Sequence, residues 1–178
     1  CEPLERDVEA AGWSCWPTGD AFAATRSLFS RAVDSPPMTD IAIAGIVSVA
    51  EVHALSIGDI DGAEVVAGSC RTESRMPAFA EQFDCTWYAD TAEMLDAEEP
   101  DVLTVCTPSG AHLEPTLAAA ERGVDVLCEK PLEITTERID EMVVAAEEAG
   151  IVLGGVFNQR YNPVVRQLHE AASEGRFD

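Results

Sequence analysis

The stretch Ile41-Ala42-Ile43-Ala44-Gly45-Ile46-Val47-Ser48-Val49-Ala50-Glu51-Val52-His53-Ala54 decides the fold. A short apolar run, suited to a strand buried on both faces, meets a glycine, and the segment from Val49 to Ile57 reads as a helix. This order sets the helix N-terminus, with its unpaired N–H groups and positive dipole end, at the carboxyl end of the strand. The turn is a G-x-V-x-x-A variant of the fingerprint that seats a pyrophosphate. Gly45 allows the tight turn, and the small Ala50 lets helix and strand pack closely. Val47 departs from the pattern, because a glycine there would let the backbone approach the ligand. Ile46, Ser48 and Val49 complete the candidate turn. Alone, such a pattern can also serve packing only.

Outward from this unit, apolar runs and amphipathic segments alternate. Strands are expected at Glu64 to Ser69, Trp87 to Tyr88, Asp101 to Cys106, Val124 to Cys128 and Ile151 to Phe157. Helices are expected around Glu73 to Phe83, from Thr91 as cap through Asp96, from Leu113 to Arg122 with Gly123 as stop, from Thr135 to Ala149 with Gly150 as stop, and from Asn162 onward. This pattern describes an α/β fold with a doubly wound, mainly parallel sheet. Beyond a short possible helix around Ala21 to Val33, residues 1–37 show no sustained period and end in Ser35-Pro36-Pro37, so Met38 is read as the natural start and the stretch before it as an extension, the rival reading being a genuine N-terminal arm that packs on the domain. Residues 38–157 are read as the nucleotide-binding domain, and 158–178 as the beginning of a second one.

Three further segments close strands at the edge where parallel sheets place ligands. In Ser69-Cys70-Arg71, Cys70 stands where NAD-selective domains carry a carboxylate for the ribose hydroxyls, and Arg71 can meet a 2′-phosphate. NADP is therefore expected in preference to NAD, the bland alternative being that Arg71 is a solvated surface arginine. In Thr107-Pro108-Ser109-Gly110-Ala111-His112, proline and glycine force a turn, and His112 reads as a pocket-shaping or, alternatively, a catalytic histidine. In Cys128-Glu129-Lys130-Pro131-Leu132, the lysine can supply a positive charge and a proton donor beside a reacting carbinol, with Glu129 to orient it. Pro131 is a candidate for a cis peptide bond. Lys130 is the single lysine of the chain, which makes its placement informative.

Taken together, G-x-x-x-x-A-x-x-H-A, T-P-S-G-x-H, E-K-P and Asn158-Gln159-Arg160-Tyr161-Asn162-Pro163 resemble the Gfo/Idh/MocA oxidoreductases, named for glucose-fructose oxidoreductase and inositol dehydrogenase. The resemblance implies an N-terminal Rossmann domain for NAD or NADP, followed by a C-terminal α/β substrate domain that often forms dimers or tetramers. It also implies a catalytic Lys130 near the nicotinamide, with Glu129, Thr107, Pro108, His112 and Arg160 around the cofactor. Hydride would pass between the cofactor and a sugar, inositol or related carbinol. The family's further catalytic Asp and His would lie beyond Asp178, so the chain is expected to be an inactive part of a longer, oligomeric enzyme. Two other readings are a non-catalytic dinucleotide sensor and an inactive gene fragment.

Composition bounds these readings. With 33 acidic and 11 basic residues the net charge is −22, so nucleic acid and anionic membranes are poor partners. Such acidity, with lysine almost absent, resembles cytosolic proteins of extreme halophiles. The six cysteines form no C-x-x-C pair and no zinc spacing, so a reducing compartment and no disulfide framework or metal site are expected. No apolar run is long enough to span a bilayer and no signal peptide is evident, and a cytoplasmic location is the expectation.

Overall fold

The computed structural model describes residues 38–46 and 48–177. Val47 and the extension 1–37 lie outside the described residues. Residues 38–157 form one compact unit, and residues 158–177 belong to a second.

In the first unit, strands and helices alternate in chain order. They are β1 (Thr39–Ala44), α1 (Ser48–Gly58), β2 (Ala63–Ser69), α2 (Met76–Phe83), β3 (Thr86–Tyr88), α3 (Thr91–Glu98), β4 (Val102–Val105), α4 (Leu113–Ala120), β5 (Asp125–Glu129), α5 (Thr136–Ala149) and β6 (Leu153–Val156). The strands form one sheet in the order β3-β2-β1-β4-β5-β6, with every pairing parallel. This is the doubly wound fold expected from the sequence.

Alternation along each strand sends successive side chains to opposite faces. Ala42 and Ala44 of β1, with Leu103 and Val105 of β4, join Met94, Leu95, Leu113, Ala119 and Met142 on the face covered by α3, α4 and α5. Ile43 joins Ala50, Ala54, Ile57, Met76 and Phe79 on the face covered by α1 and α2. Ala50, Ala54 and Ile57 recur at helical spacing, so the buried stripe of α1 packs against β2 and shares a core with Ile43 of β1. No described helix is long and apolar enough to cross a membrane.

Helix ends mostly follow local chemistry. Thr135 Oγ1 accepts the Arg138 N–H at the start of α5, and Gly150 closes that helix with φ +69°. Two expectations need correction. Asp90, not Thr91, caps α3, its Oδ1 accepting from the N–H groups of Ala92 and Glu93 at 2.8 and 3.0 Å. The Thr91 hydroxyl bonds to Ser69 Oγ at 2.9 Å instead. Helix α4 ends at Ala120 rather than Arg122, whose guanidinium turns to Asp96 in a two-point ion pair.

The second unit holds a 3₁₀ turn, Asn158–Tyr161, and helix α6, Pro163–Ser173. Asn162 caps α6 by accepting the Val164 N–H at 2.9 Å. Arg160 sits on the 3₁₀ turn.

Candidate functional site

All strands of the sheet run the same way, so the ends of β1, β2, β4 and β5 share one edge. Strand order reverses between β1 and β4, which is where a parallel sheet opens a crevice for a ligand. Gly45 forms its floor. Its N–H donates to the Ser69 carbonyl at 2.8 Å, and its φ of +90° lies in the region that favours glycine. A Cβ at this position would lie 2.6 Å from Thr107 N, 2.7 Å from Thr107 Cα and 2.8 Å from Cys106 C. The turns after β1 and β4 thus touch through a missing side chain. Ile46 is buried and turns its side chain into the core. Ser48 is exposed, Val49 half-buried and Ala50 fully buried in the first turn of α1.

At the end of β2, Ser69 is buried, and the half-buried Cys70 accepts the Thr72 N–H on sulfur at 3.4 Å. Arg71 is exposed and has no ion pair among the described residues. Arg75, absent from the sequence-based candidates, reaches back to the fingerprint, its Nη1 3.5 Å from the Ile46 carbonyl oxygen. The available signal was two arginines four positions apart in a chain poor in cations.

The turn after β4 is held from several sides. Thr107 Oγ1 donates to the Ala111 carbonyl at 2.8 Å, and Pro108 is exposed. His112 is 1% exposed. Its Nδ1 lies 3.0 Å from both the Pro131 and Leu132 carbonyl oxygens, and its Nε2 lies 2.8 Å from that of Thr107. The ring therefore joins the turns after β4 and β5.

The sequence-based reading also missed Glu133. Its buried carboxylate accepts from the main-chain N–H groups of His112, Leu113 and Ile134 and from Arg138 Nη2. It thereby caps α4 from another loop, at a helix start where His112 supplies no side-chain cap. Burial alone would raise its pKa, but these donors outweigh burial and bring it from 4.5 down to about 2.

At the end of β5, Glu129 makes no ion pair with the Lys130 ammonium among the described residues. Its Oε1 lies 3.0 Å from His53 Nε2 of α1, and its Oε2 accepts the main-chain N–H of Lys130 at 3.0 Å. The Lys130 side chain is exposed at the sheet edge, with no ion pair among the described residues. The Lys130–Pro131 peptide is cis, as expected. Burial, and secondarily the nearby Glu129, push the Cys106 and Cys128 thiols up to about 12, so both are packing groups rather than nucleophiles. No cluster able to hold a metal occurs among the described residues.

This donor set suits an anionic dinucleotide. Gly45 leaves the turn without a side chain, arginines stand at the β2 end where a carboxylate would repel a 2′-phosphate, and a lone ammonium stands at the β5 end. The fold and site define a dinucleotide-binding Rossmann domain. The family model described as "Oxidoreductase family, NAD-binding Rossmann fold" matches residues 39–156, and the chain belongs to this Gfo/Idh/MocA family. The chain is 37% identical over 146 residues to D-glucoside 3-dehydrogenase of Escherichia coli, a match covering 81% of this chain and 41% of that protein. It is 33% identical over 113 residues to D-xylose 1-dehydrogenase (NADP(+)) 2 of Haloferax volcanii, covering 62% of this chain and 35% of that one. The WlbA dehydrogenase of Bordetella pertussis, solved in complex with NADH and UDP-GlcNAcA, superposes with a TM-score of 0.75 at 27% identity, over 79% of this chain and 43% of that one. The chain thus spans less than half the length of these relatives.

Proposed function

We propose that the chain is the dinucleotide-binding part of an oxidoreductase that moves hydride between a nicotinamide cofactor and a sugar, inositol or related carbinol. The carrying observation is that Gly45, Ser69 to Arg71, Thr107 and Lys130 lie at or just beyond the carboxyl ends of β1, β2, β4 and β5 on one edge of the sheet, with Gly45 in contact with Ser69 and set against Thr107. In this reading, Ile46, the first turn of α1 from Ser48 to Ala50, and the loop of Thr107 and Pro108 border the dinucleotide. His112 and Glu129 hold the surrounding loops. When bound, the nicotinamide supplies the hydride chemistry. Lys130 Nζ, as ammonium, would give its proton to the carbonyl oxygen as hydride arrives and, as the free amine, would take the hydroxyl proton of the carbinol as hydride leaves. Sugar dehydrogenase names among the relatives support the substrate class. The longer protein would be a cytoplasmic homo-oligomer in this reading.

NADP is the proposed preference over NAD. Cys70 can neither accept from the ribose hydroxyls as a carboxylate does nor repel a 2′-phosphate. Arg71 can donate a charge-assisted bond to that phosphate, worth roughly 1.5 to 3 kcal/mol, or about 10- to 100-fold in affinity. Arg75, four residues on, adds a second cation. Calorimetric titration of the chain should show NADP binding more tightly than NAD. Arg71→Ala should weaken NADP while sparing NAD, and Arg71→Ala with Arg75→Ala should remove the remaining preference. Equal affinities in the unaltered chain, or an equal loss for both nucleotides in the variant, would count against Arg71 reading the phosphate.

The acidic surface is read as an adaptation to high salt. From Met38 onward, 27 acidic residues face 8 basic ones, a net charge of −19. Self-repulsion then opposes compaction until salt shortens its range from about 10 Å at 0.1 M to about 3 Å at 1 M. Melting temperature should climb as potassium chloride rises over that interval, and a flat profile would remove the halophilic reading.

A further inference from the structure

Among the polar contacts of this unit, one ties the two ends of the proposed site together. His53 lies on α1, the fingerprint helix, and Glu129 ends β5, which is 76 residues further along the chain. Their side chains meet at 3.0 Å and are only 14% and 13% exposed. A carboxylate oxygen accepts, so the ring's Nε2–H is the donor. The second oxygen of the same carboxylate accepts the main-chain N–H of Lys130 at 3.0 Å. The chain of contacts therefore runs from α1 through one carboxylate to the backbone of the lysine-bearing turn.

We propose that His53 is a positioning residue: by holding Glu129 it fixes the main chain at Lys130, and so the direction in which the ammonium leaves the sheet edge, in register with the helix that meets the pyrophosphate. This deepens the dinucleotide reading and rests on it for its functional meaning. Without the ring N–H, the carboxylate is free to turn toward solvent, because one main-chain donor alone holds it weakly against hydration. The Lys130 turn then loses its link to α1, while the fold keeps its two hydrophobic layers.

Lys130 is the single lysine, so lysine labelled with ¹⁵N and ¹³C reports one main-chain amide and one ε-methylene in the whole chain. The variants are His53→Ala, which suits a helix, His53→Gln, whose terminal amide can reach the place of Nε2, and His53→Asn, which is too short. In the free protein, hydrogen exchange at the Lys130 amide should speed up about tenfold in the Ala and Asn variants, the loss of one charge-assisted bond, and return toward the original in Gln. On adding NADP, the ε-methylene signal should move in the unaltered chain and in His53→Gln, and move less in the other two.

Unchanged exchange at Lys130 in all three variants overturns the proposal, as does equal acceleration in Gln and Asn, which marks a packing role. Faster exchange in Ala and Asn with an unaltered ε-methylene response to NADP also overturns it, since the fixed backbone would not govern the ammonium. If the exchange pattern is as expected but the unaltered chain binds neither NADP nor NAD, the positioning of Lys130 stands and the dinucleotide reading alone falls.

Discussion

Replacing Gly45 with alanine should destabilise the first unit by about 3 kcal/mol and abolish dinucleotide binding. Two costs add. An L-residue at φ +90° is strained by roughly 1 to 3 kcal/mol. The added Cβ would also stand 2.6 to 2.8 Å from the backbone of Cys106 and Thr107, which is not the yielding end of a side chain. Relief requires the turn after β1 to part from the turn after β4, and overpacking of this kind costs roughly 1 to 3 kcal/mol more. The melting temperature should fall by about 10 °C, at a few degrees per kcal/mol for a domain of this size. Gly62 makes an internal control. It too has positive φ, but nothing lies within 4 Å of its Cβ position, so Gly62→Ala should cost only the backbone strain. Equal melting losses at the two glycines would show that the close approach of β1 and β4 carries no weight.

Much of this fold was legible because its central strands β1 and β4 are buried on both faces and so appear as largely apolar runs. The runs at Ile41 to Ala44 and Leu103 to Cys106 each feed two cores, one on each side of the sheet. Caps made by neighbouring residues were mostly legible too, as at Thr135 and Gly150. The choice between Asp90 and Thr91 was not, because both are good capping residues and the contest is decided by Ser69, which occupies the Thr91 hydroxyl.

The legible part of the site consists of motifs that lie at strand ends in sequence. Lys130 and Arg71 were found because their strands end there. What stayed hidden depends on approach between distant segments. Glu133 caps a helix that begins 20 residues before it, and Glu129 meets a histidine on the fingerprint helix as well as the main chain of the lysine beside it. No local pattern distinguishes such carboxylates from the many acidic residues of the surface.

Glu133 offers the second large effect. Its carboxylate is 0% exposed, faces Arg138 Nη2 at 3.1 Å, and is the acceptor for three main-chain N–H groups. Glu133→Gln keeps the shape but turns one acceptor into an amide that donates toward donors. The Arg138 guanidinium also loses its buried countercharge and, among the described residues, keeps only the exposed Glu114. The drop of the Glu133 pKa from 4.5 to about 2 corresponds to about 3 kcal/mol of stability at neutral pH. The sign follows from the depressed value. The contribution is full above 4.5, where the carboxylate is charged in both folded and unfolded chains, and it is lost as pH falls toward 2 and the folded form takes up its proton. Denaturant unfolding of the two proteins should therefore differ by about 3 kcal/mol at pH 7, and the difference should shrink steadily below pH 4.5. Comparing the variant with the unaltered chain at each pH cancels the other acidic groups, which titrate in both. A gap that stays constant from pH 7 down to pH 3 would mean that the loss arises from packing at this loop, and that the charge on Glu133 does not hold α4 to the turn after β5.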